Sequence, residues 1–173
     1  TFVHLLRGAT SSALTDEQFA RQRELAANIK PGEDGYAAWM IHANTMPIRE
    51  WHGWNEKRQQ IRRAWAEFFR EWDLLLCPTA ATAAFPHNQK GERWERMVMV
   101  NGKPQPSTTQ MFWAGFPGMA YLPSTIAPAG FTNEGLPVGV QIVGPQYGDL
   151  ATIAAAQFLE REFQPFVAPK GYE

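Results

Sequence analysis

The sequence predicts an α/β fold on three observations. Trp54, Ile61, Trp65, Phe68 and Trp72 recur at intervals of three, four and seven, with Ala64 beside them. Lys57, Arg58, Arg62, Arg63, Glu67 and Arg70 take the rest of the cylinder, so a helix from about Trp54 to Trp72 turns one aromatic stripe inward. Directly after it, Asp73-Leu74-Leu75-Leu76-Cys77 becomes continuously apolar and is ended by Pro78. A run this short suits a strand covered on both faces, as in a mainly parallel sheet. Near the other end, Val138-Gly139-Val140-Gln141-Ile142-Val143 reads as a strand with Val138, Val140 and Ile142 on one face, and a helix follows it.

The remaining elements follow from local chemistry. Gly8-Ala9-Thr10-Ser11-Ser12 is a breaker cluster. Thr15 then opens a helix to about Ile29, with Gln18 placed to complete a capping box. Residues 31–35 (Pro31-Gly32-Glu33-Asp34-Gly35) form a turn, and a short helix from Tyr36 to Thr45 stops before Pro47. From Pro78 to about Ser107 the chain is a long irregular connection, of a length often given to function. It holds a strand at Arg96–Val100 and a strong turn signal at Asn101-Gly102. Ser107 is placed to cap a short helix through Ala114, before Gly115. Ser124–Ala127 is a candidate strand between Pro123 and Pro128. Gly139 is either a site of close backbone approach or a plain strand residue. Asp149 caps the last helix, about 14 residues long, with Leu150, Ile153, Ala154 and Phe158 on its buried side and Ala155 and Leu159 widening the stripe.

Composition excludes several functional classes. The 173 residues carry 16 basic and 17 acidic side chains, a balance with no general attraction to nucleic acid or to an anionic membrane. No apolar run approaches the roughly 20 residues of a spanning helix. Cys77 is the single cysteine, so a disulfide framework within the chain is impossible and a cysteine-based zinc site has too few ligands. The opening residues have neither an initiating Met nor a signal-peptide plan. They read as a chain entered midway, and the default expectation is a cytoplasmic protein.

No chemical motif stands out from the residues alone. His4, His42, His52 and His87 form no HExxH-like pair, and a satisfied structural role outweighs zinc ligation for each. Cys77 sits at a strand end, where a functional side chain can emerge, but a buried small hydrophobe is the plainer reading. Ser11-Ser12 and Ser124-Thr125 lack the Gly-x-Ser-x-Gly context of a nucleophile elbow. Gly144 and Gly148 flank a proline and a tyrosine, which is no dinucleotide fingerprint.

A family resemblance adds what the residues alone do not. Trp72-Asp73-Leu74-Leu75-Leu76-Cys77-Pro78-Thr79, Phe85-Pro86-His87 and Val100-Asn101-Gly102-Lys103 resemble segments of the amidase-signature family. The strongest similarity is Leu122-Pro123-Ser124-Thr125-Ile126-Ala127-Pro128-Ala129-Gly130-Phe131, followed by the run from Gly135-Leu136-Pro137 to Val143-Gly144-Pro145. Asp149 and Phe158-Leu159-Glu160 complete the pattern. Residues 50 to 163 are covered well and the first 50 loosely. One departure stands out: many members have Asn-x-x-Gly-x-Pro where this chain reads Gly118-Met119-Ala120-Tyr121-Leu122-Pro123. It favours a general amidase over a transfer-RNA amidotransferase.

The resemblance implies part of an α/β/α fold around a mixed sheet. The chain would be the C-terminal portion of one larger domain, with no boundary evident inside it. In that family a serine nucleophile, a second serine and a lysine cleave amides, and backbone N–H groups form the oxyanion hole. Their motifs lie upstream of the region resembled, so no residue here receives a catalytic role, and no cofactor or metal is expected. By family position, Thr79, Met111, Trp113 and Gly115 are candidates for the substrate pocket, although Met111 and Trp113 are also ordinary core residue types. The implied partners are the N-terminal catalytic region and a small amide substrate, with self-association open. The competing expectation is a noncatalytic binding module of the same architecture, and the upstream sequence discriminates between them.

Overall fold

The computed structural model describes residues 1–30 and 32–172. The backbone groups into two compact units, Thr1–Arg63 and Ala64–Glu173.

The first unit is helical. It holds α1 (Phe2–Thr10), α2 (Asp16–Ala27), α3 (Tyr36–Thr45) and the first three-quarters of α4 (Ile48–Phe68). Leu5, Ala38 and Ala43 are its buried apolar residues. Thr15 caps α2 as the sequence indicates: its side chain accepts from the Gln18 amide at 3.2 Å, and the Gln18 side chain accepts from the Thr15 amide at 2.9 Å. Across the unit, Arg7 donates to the Tyr36 hydroxyl at 2.6 Å and Asn44 to the Gln22 side chain at 3.3 Å.

Two expectations need correction here. The cluster expected to break the chain at residues 8–12 instead closes α1 and forms a single 3₁₀ turn, Ser11–Ala13. Its hydroxyls donate back to the preceding turn, Thr10 to the Leu6 carbonyl at 2.9 Å and Ser11 to that of Gly8 at 2.8 Å, rather than to extended backbone. Helix α4 starts six residues before the expected Trp54, where the Pro47 carbonyl accepts from the amides of Glu50 and Trp51. It ends at Phe68, and Trp72 lies beyond it, 59% exposed rather than in the inward stripe. The 31–35 turn includes Pro31, which lies outside the described residues; Gly32 and Gly35 both take positive φ.

The second unit is built on a three-stranded antiparallel sheet in the order β1 (Leu75–Pro78), β5 (Pro137–Val143), β4 (Ser124–Phe131). Strand β1 is therefore an antiparallel edge, not the parallel strand covered on both faces that its apolar run suggested, and Leu76 is 55% exposed. Strand β4 runs straight through Pro128, where the sequence suggested a stop. Proline is tolerated on edge strands and at bulges, and Pro128 has both, with a register shift between it and Gly130. Gly139 is a point of close approach: a Cβ there would lie 2.8 Å from Ile126 Cγ2.

Helices flank this sheet. Leu76, Ile142 and Thr125 are register partners and share one face. Helix α6 (Asp149–Glu162) covers that face, joined by the Thr125 and Thr152 hydroxyls 2.8 Å apart. Thr152 donates to the Asp149 carbonyl at 2.8 Å and so accepts from Thr125. The packed stripe is Thr152, Ala155, Ala156 and Leu159, with helical spacing and small side chains that let the helix approach closely. Of the expected buried side, Leu150, Ile153, Ala154 and Phe158 are exposed, Leu150 at 82%, while Ala155 and Leu159, expected to widen the stripe, lie in the packed one. Gly148, not Asp149, occupies the N-cap position.

The long connection also carries more structure than expected. β2 (Met97–Val100) and β3 (Lys103–Pro106) form a hairpin, and Asn101 and Gly102 have the paired positive φ of a two-residue turn. The strand expected at Arg96–Val100 is present, and its partner is new. After a 3₁₀ turn at Ser107–Gln110, α5 runs from Met111 to Ala120, past the expected stop at Gly115. Ser107 caps nothing; its hydroxyl donates to the Arg93 carbonyl. Among the described residues, no helix is long and apolar enough to cross a membrane.

Candidate substrate pocket

Helix α5 contains an internal proline, and the sheet compensates for it. Pro117 has no N–H, so the carbonyl four residues earlier, on Trp113, loses its intrahelical donor. That carbonyl instead accepts from the Gln141 side-chain amide at 2.9 Å. Gln141 projects from β5 on the face opposite α6 and is only 3% exposed. The same amide lies 3.4 Å from Cys77 Sγ, on the neighbouring residue of β1. A buried polar side chain in an apolar strand thus has a partner, and α5 is fixed against this face of the sheet.

Beside this junction an open cleft of about 570 Å³ lies between residues 76–84 and 137–140. Thr79 sits in its wall, its hydroxyl donating to the Gly139 carbonyl at 2.9 Å. The loop after Thr79 is tied to the start of α5, with the Ala81 amide donating to the Gln110 side chain at 3.0 Å. The Thr82 hydroxyl donates to the Ala83 carbonyl.

The four residues singled out from the sequence fall in two places. Thr79 lines the cleft. Met111, Trp113 and Gly115 lie on α5 and are not among the residues lining it. Gly115 is buried, while Met111 and Trp113 are half-buried. The Trp113 ring packs edge-on against Phe112 at 5.1 Å and Phe116 at 6.4 Å between centroids. Trp113 and the cleft are linked through its carbonyl, Gln141 and Cys77.

Gln141 was not anticipated. The signal was present as a lone amide in an apolar strand, but it gains meaning only once α5 is seen to pass through Pro117. Tyr121 also takes on a role. It terminates α5 in the left-handed region, φ 60° and ψ 34°, at the position where the resembled motif has glycine. Glycine adopts that conformation without steric cost and tyrosine does not.

No histidine is among the residues lining the cleft. His4 is buried, stacks on Trp54 at 3.9 Å between centroids, and has no partner for Nδ1. Burial, reinforced by the positive charges of the Thr1 amino group, His42 and Lys57, pushes its pKa down to about 4, and Glu50 partly opposes this. His42 Nε2 is 3.4 Å from Glu50 Oε1. Among the described residues, no three His, Cys, Asp or Glu side chains are grouped to hold a metal ion.

Known proteins resemble this chain in both sequence and fold. Residues 10–153 match the family model described as Amidase. A glutamyl-tRNA(Gln) amidotransferase subunit from Parvibaculum lavamentivorans is 31% identical over 115 residues, covering 66% of this chain and 21% of that protein. Its counterpart in Geobacter sp. (strain M21) is 35% identical over 107 residues, covering 62% of this chain and 20% of that protein. A solved chain from work on a vestigial protein complex and the origins of an s-triazine catabolic enzyme superposes with a TM-score of 0.63 at 20% identity. That match covers 94% of this chain and 34% of the other. A bacterial aryl acylamidase of the amidase signature family gives 0.60 at 22% identity, covering 86% and 31%. At these identities the structural likeness is one of fold. The chain spans about a fifth of the length of these curated relatives.

Proposed function

Because this chain belongs to the amidase family, we propose that it forms part of the acyl-binding wall of an enzyme that hydrolyses carboxylic amides. The nucleophilic serine, its partner serine and the lysine base come from polypeptide outside these 173 residues, with which the chain completes one larger domain. The observation that carries this reading is that the family match spans both the cleft at Thr79 and helix α5. Thr79 borders the bound acyl group, and Trp113 and Met111 on α5 restrict its shape without taking part in proton transfer. Gly115 leaves room in the same wall, and Gln141 holds α5 in place.

The division of labour has a physical basis. Amide cleavage needs a hydroxyl beside a base and donors aimed at the developing oxyanion. Cys77 has its sulfur occupied by the Gln141 amide, and the Thr79 and Thr82 hydroxyls donate to backbone carbonyls. These groups are suited to shaping a cavity. The purified chain alone is therefore expected to hydrolyse no simple amide. Turnover by it that disappears when one of its own residues is replaced would overturn the assignment.

A further inference from the structure

Helix α6 is apolar on both sides. Thr152, Ala155, Ala156 and Leu159 pack on the sheet, and Leu150, Ile153, Ala154 and Phe158 fall on the opposite side by the helical period. These four are exposed, Phe158 at 49% and Ile153 at 44% beside Leu150 at 82%. Just past the helix, Phe163 is 72% exposed and meets Phe158 edge-on with 6.1 Å between centroids. A helix that faces water carries polar residues there, so a second apolar stripe marks a second covered side. Polypeptide that continues the sheet does so at its free edges, β1 and β4. The outer side of a flanking helix points out of those layers, toward another molecule.

That side is self-complementary. Leu150 is its knob at the N-terminal end, the Phe158–Phe163 pair stands at the C-terminal end, and the small Ala154 lies near the middle. Charge divides in the same way, with Asp149 in the first turn and Arg161 in the last. Arg161 lies 5.8 Å from the Phe158 ring centroid and pairs with Glu162 at 2.6 Å. A second copy laid antiparallel about a two-fold axis near Ala154 sets each Leu150 against the other's aromatic pair. It also brings each Arg161 toward the other's Asp149 and opposes the two helix dipoles. A parallel copy would set Arg161 beside Arg161 and Asp149 beside Asp149.

We infer that the outer side of α6 is the contact through which two copies of this chain form an antiparallel dimer. Its 14 residues make a contact about 21 Å long. A helix pair of that length falls below the roughly 1,200 Å² of standard interfaces, so the dimer is reversible, with a Kd of about 10–100 μM. None of these residues lines the cleft at Thr79, and the dimer stands independently of the acyl-wall reading.

Sedimentation velocity of the purified chain from about 2 to 200 μM should show monomer passing to dimer. Leu150→Glu should raise the Kd at least about tenfold, because it places a charge against the aromatic pair. Arg161→Asp and Asp149→Arg each set like charges at both ends of the contact and should weaken it about tenfold. The double variant restores opposite charges and should return the Kd to within about threefold of the original. Far-ultraviolet circular dichroism of each variant confirms that the helices are retained. A chain that is monomeric at about 200 μM, or a folded double variant as weak as the single ones, overturns the inference. Association shared equally by all variants would come from the sheet edges and overturns it too. Loss of the dimer on co-expression with the upstream polypeptide would assign the outer side of α6 to that polypeptide instead.

Discussion

Replacing Gln141 with methionine keeps the volume of a buried side chain and deletes the donor to the Trp113 carbonyl. With Pro117 unable to supply an N–H, that carbonyl is left without a donor beside a residue only 3% exposed. An unsatisfied buried acceptor costs about 1–3 kcal/mol, so Gln141→Met should destabilise the sheet unit by that amount. The explanation makes a stricter demand on the pair. Pro117→Ala restores a backbone N–H four residues after Trp113, where an α-helix places its bond. In that background the cost of Gln141→Met should fall below about 1 kcal/mol. Pro117 is fully buried, so its truncation has a cost of its own. That cost enters both sides of a double-mutant cycle and cancels. The assay is equilibrium urea unfolding of the four proteins, followed by tryptophan fluorescence. A coupling of about 1 kcal/mol or more is expected, well outside the roughly 0.5 kcal/mol scatter of independent sites. Equal costs of Gln141→Met in both backgrounds would refute the compensation.

Three other outcomes follow from the same geometry. Trp113→Ala in the assembled enzyme should change the ratio of kcat/KM for bulky and small acyl amides. An unchanged ratio in well-folded protein would remove Trp113 from the specificity wall, and a lost folded yield would show that the half-buried ring acts in packing instead. Tyr121→Gly should stabilise the protein by about 1 kcal/mol by relieving a left-handed tyrosine, and a loss of stability on unfolding would show that the Tyr121 ring contributes more than its backbone costs. The folded-state pKa of His4 is depressed to about 4, so between pH 6.5 and 4 the unfolded chain binds a proton that the folded chain does not. Stability of the helical unit is therefore full above about pH 6.5 and falls as the pH drops toward 4. His4→Phe keeps a ring on Trp54 and should lose less stability over this interval, and equal losses would show that His4 is not responsible.

The sequence was most informative where a bond is local. Thr15 and Gln18 are three residues apart and cap α2 as expected, and α3 spans Tyr36–Thr45 as read. The α/β class was also legible, since helix α4 carries its own period and the runs at β1 and β5 read as strands, while the layering of helices on the sheet came from the family resemblance. What it did not reveal depends on distant partners. The apolar run at Leu74–Cys77 says that a strand is present, but not that β5 pairs with it antiparallel. The larger side chains of α6, Leu150, Ile153 and Phe158, suggested the wrong face. The sheet instead takes the small residues around Thr152, because the Thr125 hydroxyl bonds there. Pro117 marked no helix end because Gln141, from a strand 24 residues away in sequence, supplies what it lacks. The link from Thr79 through Cys77 and Gln141 to Trp113 was likewise invisible before the strands were registered. The pocket residues themselves came from family resemblance.

The proposal that this chain completes an amide-hydrolysing enzyme whose reactive serine lies elsewhere is tested most directly by combining the purified chain, or co-expressing it, with the upstream polypeptide of the same gene and following benzamide hydrolysis by release of ammonia. Activity should appear only when both pieces are present, should co-purify with a complex of the two, and should vanish when the upstream nucleophilic serine is replaced by alanine. Full activity of the upstream piece without this chain, or a stable complex that hydrolyses no amide, would contradict the account.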